Sequence, residues 1–242
     1  MTLCDTVPPA GPRLILFDCD GTLVDSQHMI VAAMREAHEM QGVRVPTREQ
    51  ILSIVGLSLP EAFVVLAQGD DTYPGLALAQ GYRNAFTRLR ERLPPEPMFP
   101  LARETLGLLC GARDVVLGMV TGKARRGVAR VLAAHQMEGW FTTIQTADDA
   151  PSKPHPAMVL QAMAETAITA QRTVVVGDTS YDMKMAKAAG AFAVGVDWGY
   201  HSVAELRSAG ADLVVDRFDL LPCALDELVP PALDAGRVRL PI

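Results

Sequence analysis

The chain is poor in aromatic residues, which make up 5% of its 242 positions, and it holds only four cysteines, Cys4, Cys19, Cys110 and Cys223. The cysteines show no paired spacing, so neither a disulfide framework nor a zinc site is suggested, and reduced, mostly buried thiols are expected. No run of about 18 consecutive apolar residues occurs, and the opening MTLCDTVPPAGPRL lacks a basic stretch followed by an apolar one. A cytoplasmic protein that neither crosses nor coats a membrane is expected. Basic charge is also scarce, with 22 Lys and Arg against 28 Asp and Glu, a net charge of −6. That balance offers no general attraction to nucleic acid or to an anionic lipid surface.

What is present is ordinary globular material, 49% hydrophobic and 21% charged, in a length that suits one large domain or a domain with an insertion. Short runs rich in β-branched and other apolar residues occur at 14–17 (LILF), 115–120 (VVLGMV), 173–176 (TVVV), 191–196 (AFAVGV) and 212–215 (DLVV). They are the pattern of buried strands. Helical spacing lies between them, as at Met158, Val159, Ala162 and Met163, or Val128, Val131, Leu132 and His135. Alternation of this kind predicts an α/β fold, a parallel sheet covered on both sides.

The interval 26–97 carries helical periodicity without a buried strand. Met29, Ala33, Met34, Ala37 and Met40 share one helix face, and Leu78, Tyr82, Phe86 and Leu89 form a later stripe, both read as core. The segment LPPEPMFP (93–100) ends the pattern ahead of a helix around 103–109. A helical insertion over 26–97 is therefore expected within a core formed by 1–25 and 98–242.

The first strand runs directly into Asp18-Cys19-Asp20-Gly21-Thr22. Alternation places Asp18 and Asp20 on the same side of an extended chain, where two carboxylates repel unless a cation or shared proton intervenes. Gly21 permits the sharp turn. Alone, Asp-x-Asp-Gly is equally a turn with a helix cap. A second strand ends at Thr121-Gly122-Lys123, where a hydroxyl and free amides suit phosphate oxygens, or simply cap a helix. Lys153 lies in APSKPHPAM, whose prolines stiffen the chain around an ammonium group. The strand 173–176 leads into Gly177-Asp178-Thr179-Ser180-Tyr181-Asp182, and a helix starting in that loop would set Asp178 and Asp182 at i and i+4 on one face. Helix capping competes with metal binding for Asp182 more strongly than for Asp178.

In order and spacing, DCDGTLVDS, the strand ending in Thr121, Lys153 in SKPHP, and GDTSYD resemble the four motifs of the haloacid dehalogenase superfamily. FPLARETL resembles the family's return to its core, with Leu101-Ala102 in place of the usual glycine. The resemblance spans essentially the whole chain and implies a Rossmann-like core with an inserted α-helical cap. It also implies that Asp18 attacks phosphorus to form an aspartyl phosphate, while Asp20 protonates the leaving oxygen and later activates water. Mg²⁺ would be held by the Asp18 carboxylate, the Asp20 backbone carbonyl and Asp178, with Asp182 binding through water or orienting a ligand. Thr121, with the backbone at Gly21 and Gly122, would hold phosphoryl oxygens, and Lys153 would balance charge around Asp18. Lys123 would meet the substrate or point to solvent. A cap loop like SIVGLSLPEAF (53–63) lies over the site in relatives, which makes Gly56, Leu57 and Ser58 either substrate contacts or an ordinary interhelical turn.

Family members that cleave carbon–halogen or phosphorus–carbon bonds lack an aspartate at the position of Asp20, so the resemblance favours phosphate esters. A phosphosugar mutase of the β-phosphoglucomutase type would be expected to present basic residues from its cap to a second phosphate, and 53–63 has none. A cysteine phosphatase needs arginine six positions after its thiolate, where Cys19 and Cys110 are followed by Asp25 and Val116. A non-catalytic binding protein on the same fold has no evident need for Asp18, Asp20, Lys153 and Asp178 together. A phosphatase acting on a small phosphorylated metabolite is expected, with phosphoglycolate the first-named candidate.

Overall fold

The computed structural model describes residues 11–231; Cys4 and the outermost parts of the expected core, 1–10 and 232–242, lie outside it. A six-stranded, wholly parallel sheet stands at the centre in the order β3-β2-β1-β4-β5-β6. Its strands are β1 (Arg13–Phe17), β2 (Val115–Thr121), β3 (Thr143–Thr146), β4 (Thr173–Gly177), β5 (Phe192–Val196) and β6 (Leu213–Val215). Every residue of β1 and β4 is buried, because helices cover both sheet faces and leave no side for polar groups.

Two apolar clusters fill the layers. One holds Ile15, Phe17, Val174 and Val176, packed with α5 (Ala102–Cys110), α6 (Arg125–Ala134) and α10 (Leu221–Leu228). The other holds Leu14, Leu16 and Val175, packed with α7 (Ala157–Thr166), α8 (Ser180–Ala188) and α9 (Val203–Ser208). A third cluster is separate from the sheet. It is built from α1 (Gln27–Gln41), α2 (Arg48–Leu52), α3 (Leu59–Ala67) and α4 (Gly75–Arg92), around Met34, Ile51, Phe63, Leu78 and Phe86. The chain leaves β1 for these helices and returns at Met98, which bridges antiparallel to Val24.

The α/β architecture is the one expected from the strand and helix patterns, and several local readings change. Strand β3, TIQT, is absent from the sequence expectation because its polar residues mask it; Gln145 and Thr143 are nonetheless buried at the sheet edge. Met40, in the last turn of α1, is 63% exposed, and its Sδ meets Arg88 of α4 at 3.9 Å instead of packing in the core. Of the described cysteines only Cys19 is buried; Cys110 and Cys223 sit at outward positions of α5 and α10 and are exposed. Leu101 adopts the left-handed conformation, φ 64°, ahead of α5, so the backbone there keeps a shape that glycine would take more easily.

Gly118 marks how tightly β2 fits between its neighbours. A Cβ there would lie 2.5 Å from Leu16 Cδ2 and 2.7 Å from Thr143 Cγ2, side chains of the strands on either side. Gly118→Val is expected to destabilise the protein by about 1–3 kcal/mol through overpacking, read as a lower urea midpoint at unchanged m-value.

Candidate active site

In an open parallel sheet, the crevice beyond the carboxyl ends of the strands is where groups from distant parts of the chain meet. Asp18 follows β1, Thr121 closes β2, and Asp178 follows β4, the strands flanking and including the sheet's centre. Asp18 donates its backbone N–H to Val176 O at 2.9 Å and accepts the Cys19 N–H on Oδ1 at 2.6 Å. The next residues close a tight turn, in which Leu23 N donates to Cys19 O and Gly21 N to Val24 O. Gly21 has φ +83°, and a Cβ there would fall 2.2 Å from Asp178 Oδ2. The glycine thus serves both the turn and the close approach of a second carboxylate.

Asp178 precedes α8, so it does not share a helix face with Asp182. The helix begins at Ser180, Thr179 is its N-cap, and Asp182 closes a capping box by accepting the Thr179 N–H and hydroxyl on Oδ2. The cap turn brings the two carboxylates together. Oxygen atoms of Asp18, Asp178 and Asp182 all lie within 4.8 Å of one another, and all three residues are buried. Thr22 Oγ1 and the Tyr200 N–H donate to Asp178, each at 2.9 Å.

Lys153 is 1% exposed, and its Nζ stands 2.9 Å from Asp18 Oδ2 and 2.6 Å from Asp182 Oδ1. One ammonium therefore pairs with two of the three clustered carboxylates. Burial pushes the Asp18 carboxyl up to about 6; Lys153 opposes this and Asp182 adds to it. Asp178 is raised well above the ordinary carboxylate range by burial and then by Asp18 and Asp182. Hard oxygen donors within 4.8 Å of one another and surplus negative charge are the environment that a divalent cation fits.

Asp20 experiences the opposite balance. Burial acts to raise its carboxyl, but the Lys123 ammonium, 2.6 Å from Oδ1, and the Ser26 hydroxyl, also at 2.6 Å, overcome it and leave it below the ordinary value. Lys123 thus points inward. Its Nζ also lies 3.9 Å from Glu96 Oε1, which is held at 2.9 Å by Arg90 of α4. Ser26 and Thr22 lie within the DCDGTLVDS segment, but their partners could not be read from it. Glu96 was hidden in a proline-rich breaker, and Tyr200, which approaches Ser26 at 3.2 Å, lies in a loop with no motif.

Thr121 is buried and its Oγ1 accepts the Lys123 N–H at 3.2 Å. Over it sits the loop before α3. A Cβ on Gly122 would lie 2.4 Å from Gly56 O and 2.6 Å from Leu57 O, and the Ser58 N–H donates to Ser152 Oγ at 2.7 Å. Gly56, Leu57 and Ser58 therefore meet the sheet's carboxyl end directly, and with Asp18, Asp20, Thr121 and Lys123 they border a cavity of about 380 Å³.

The comparisons agree with this architecture. A family profile described as "Haloacid dehalogenase-like hydrolase" matches residues 15–196, and the chain belongs to that family. It is 36% identical over 210 residues to the protein named "Probable phosphatase IndB" of Dickeya dadantii, covering 85% of this chain and 90% of that one. It is 30% identical over 231 residues to the phosphoglycolate phosphatase of Salmonella paratyphi A, covering 87% of this chain and 91% of its relative. The crystal structure of a hydrolase from Pseudomonas syringae matches with a TM-score of 0.79 at 27% identity, over 90% of this chain and 99% of that one. The protein is an enzyme, a phosphatase by kinship with these relatives. Among the described residues, no helix is long and apolar enough to cross a membrane.

Two outcomes are expected. A carboxyl whose folded pKa is raised contributes stability below its unfolded value, and that contribution is lost as pH rises through the folded value, about 6 for Asp18. A divalent cation should therefore raise Tm more at about pH 7.5 than at about pH 5, by several degrees on a scale of roughly 2–4 °C per kcal/mol. Thermal scans with and without EDTA at both pH values measure this. Gly122→Ala should lift the loop at Gly56 and Leu57, lowering kcat/KM about tenfold or more while shifting Tm little.

Proposed function

We propose that the protein is a Mg²⁺-dependent phosphatase that hydrolyses a phosphomonoester through an aspartyl-phosphate intermediate on Asp18. The observation that carries this reading is the buried cluster of Asp18, Asp178 and Asp182, in which the Lys153 ammonium pairs with Asp18 and Asp182. In this reading Asp18, Asp178 and the Asp20 backbone carbonyl hold the ion, with Asp182 behind them; Mg²⁺ supplies positive charge that offsets repulsion between an anionic ester and a carboxylate nucleophile.

The chain's own groups do the rest. Asp18 attacks phosphorus in line, the P–O bond to the alcohol breaks, and Asp20 delivers a proton to the departing oxygen. In the second half Asp20 takes a proton from water, whose oxygen displaces Asp18 and releases phosphate. Lys153 and the Thr121 hydroxyl stabilise the phosphoryl oxygens as charge moves onto them. Lys123 holds Asp20 in place and, in the ionised form, ready to accept a proton. Residues 26–97 act as a cap over a core of 1–25 and 98–242, a division supported by the separate apolar cluster of α1–α4. Closure of such a cap excludes bulk water and confines the alcohol. The relatives named phosphoglycolate phosphatase make phosphoglycolate the first metabolite to assay.

Purified protein should release phosphate from a generic aryl phosphate only with Mg²⁺, and Asp18→Asn should reduce kcat by about 10³-fold or more with the fold intact by circular dichroism. Turnover that survives both EDTA and Asp18→Asn would sink the mechanism.

A further inference from the structure

The cavity beside Asp18 and Asp20 has a wall that is apolar on the cap side. Ile30 and Met34 of α1, Ile54 and Val55 ahead of α3, and Tyr82 and Phe86 of α4 line it. All of these except Tyr82 are at most 9% exposed, and the rings of Tyr82 and Phe86 pack at 5.5 Å between centroids. A volume of about 380 Å³ falls in the range of pockets that enclose a whole small molecule, well beyond the needs of a phosphoryl group.

Two of the cations that line this cavity, Lys123 and Arg90, are already engaged. Lys123 is paired with Asp20 at 2.6 Å, and Arg90 is paired with Glu96 at 2.9 Å while lying 4.6 Å over the Phe86 ring. Arg83, Arg126 and Arg130 also border the cavity, but all three are exposed to solvent. Against Ile54, Met34 and Phe86 a short acid such as glycolate would find no charge partner for its carboxylate, and the arginines it could reach instead face solvent, where screening weakens the pairing. Burying a charge away from a partner opposes binding, whereas apolar surface favours it on leaving water.

We propose that the alcohol released from the phosphomonoester has a bulky apolar or aromatic body, held against Ile54, Met34 and Phe86, and that the enzyme prefers such esters to phosphoglycolate. This rests on the phosphatase reading and names its substrate class. The binding energy of the apolar body would orient the ester oxygen toward Asp20, so the preference should appear in kcat/KM.

The test compares benzyl phosphate, methyl phosphate and phosphoglycolate, all esters of aliphatic alcohols, so that differences in leaving-group reactivity stay small. Phosphate release by the full chain with Mg²⁺ should give a kcat/KM for benzyl phosphate at least about tenfold above both others. Phe86→Leu should lower kcat/KM for benzyl phosphate more than for methyl phosphate, so that most of the ratio between them is lost, and Ile54→Ala carries the same comparison should Phe86→Leu fail to fold. Equal or better turnover of phosphoglycolate overturns the inference while leaving the phosphatase reading standing. Absence of phosphate from all three and from an aryl phosphate overturns both.

Discussion

The buried ammonium of Lys153 is the constraint on which the centre of the molecule depends. It stands between the carboxylates of Asp18 and Asp182 with essentially no exposure of either partner. Burial alone would lower the pKa of Lys153, but Asp18 and Asp182 overcome that and raise it. Such a pair is costly to bury and still costlier to break, because removing one member leaves the others charged in a dry interior. The pair also fixes position: Asp182 closes the capping box of α8, so Lys153 ties the loop at 151–156 to that helix and to the end of β1 at once. Parallel strands with every residue buried supply the frame that can hold this arrangement.

Asp18 and Asp20 are separated by one residue, yet their environments push them in opposite directions. Asp18 shares its cation with Asp182 and faces Asp178, and its carboxyl is raised to about 6. Asp20 has Lys123 and a hydroxyl, and burial is overcome. Divergent environments for neighbouring carboxyl groups are how one site separates a nucleophile from an acid–base group. Here each shift is opposite to what the first proposed step requires, since an attacking carboxylate must be ionised and a proton donor must hold its proton. A cation among Asp18, Asp178 and Asp182 removes the first conflict. The second would be removed if Asp20 gave up its contact with Lys123, which has Glu96 3.9 Å away as another partner. The Arg90–Glu96 pair joins α4 to the segment that returns to the sheet, so the position of the helices above the site and the freedom of Lys123 are physically linked.

The parts of this architecture that were legible in the sequence are those that repeat a strong local rule. Runs such as TVVV could hardly be anything but buried strands, and the strand-to-loop transitions located Asp18, Thr121 and Asp178. β3 was not legible because an edge strand can be built from threonine and glutamine whose polar atoms pair locally, as Gln145 does with Thr143 at 3.1 Å. The relation between Asp178 and Asp182 was read as helical spacing, whereas a cap turn creates it, a distinction of two residues in where the helix starts. Glu96 and Tyr200 have no local signature, and Ser152, although inside SKPHP, has no signature of its partner. They matter through partners 27 (Glu96–Lys123), 174 (Tyr200–Ser26) and 94 (Ser152–Ser58) positions away, and only the closed chain reveals those distances.

The same reasoning explains why the chemistry of the site was easier to read than the shape of its ligand. Charged groups at strand ends stand out from an apolar background, and few structural purposes require three buried carboxylates so close together. The cavity wall has no such contrast. Met34 and Phe86 belong to the stripes that hold α1 and α4 together, and they also border the cavity. Helical periodicity reports that a face is removed from water, but it carries no information on whether protein or ligand covers it. The difference lies in which apolar side chains remain short of a protein neighbour once the helices have packed. A leaving group of matching surface would complete that packing with the same physical force that assembled the helices.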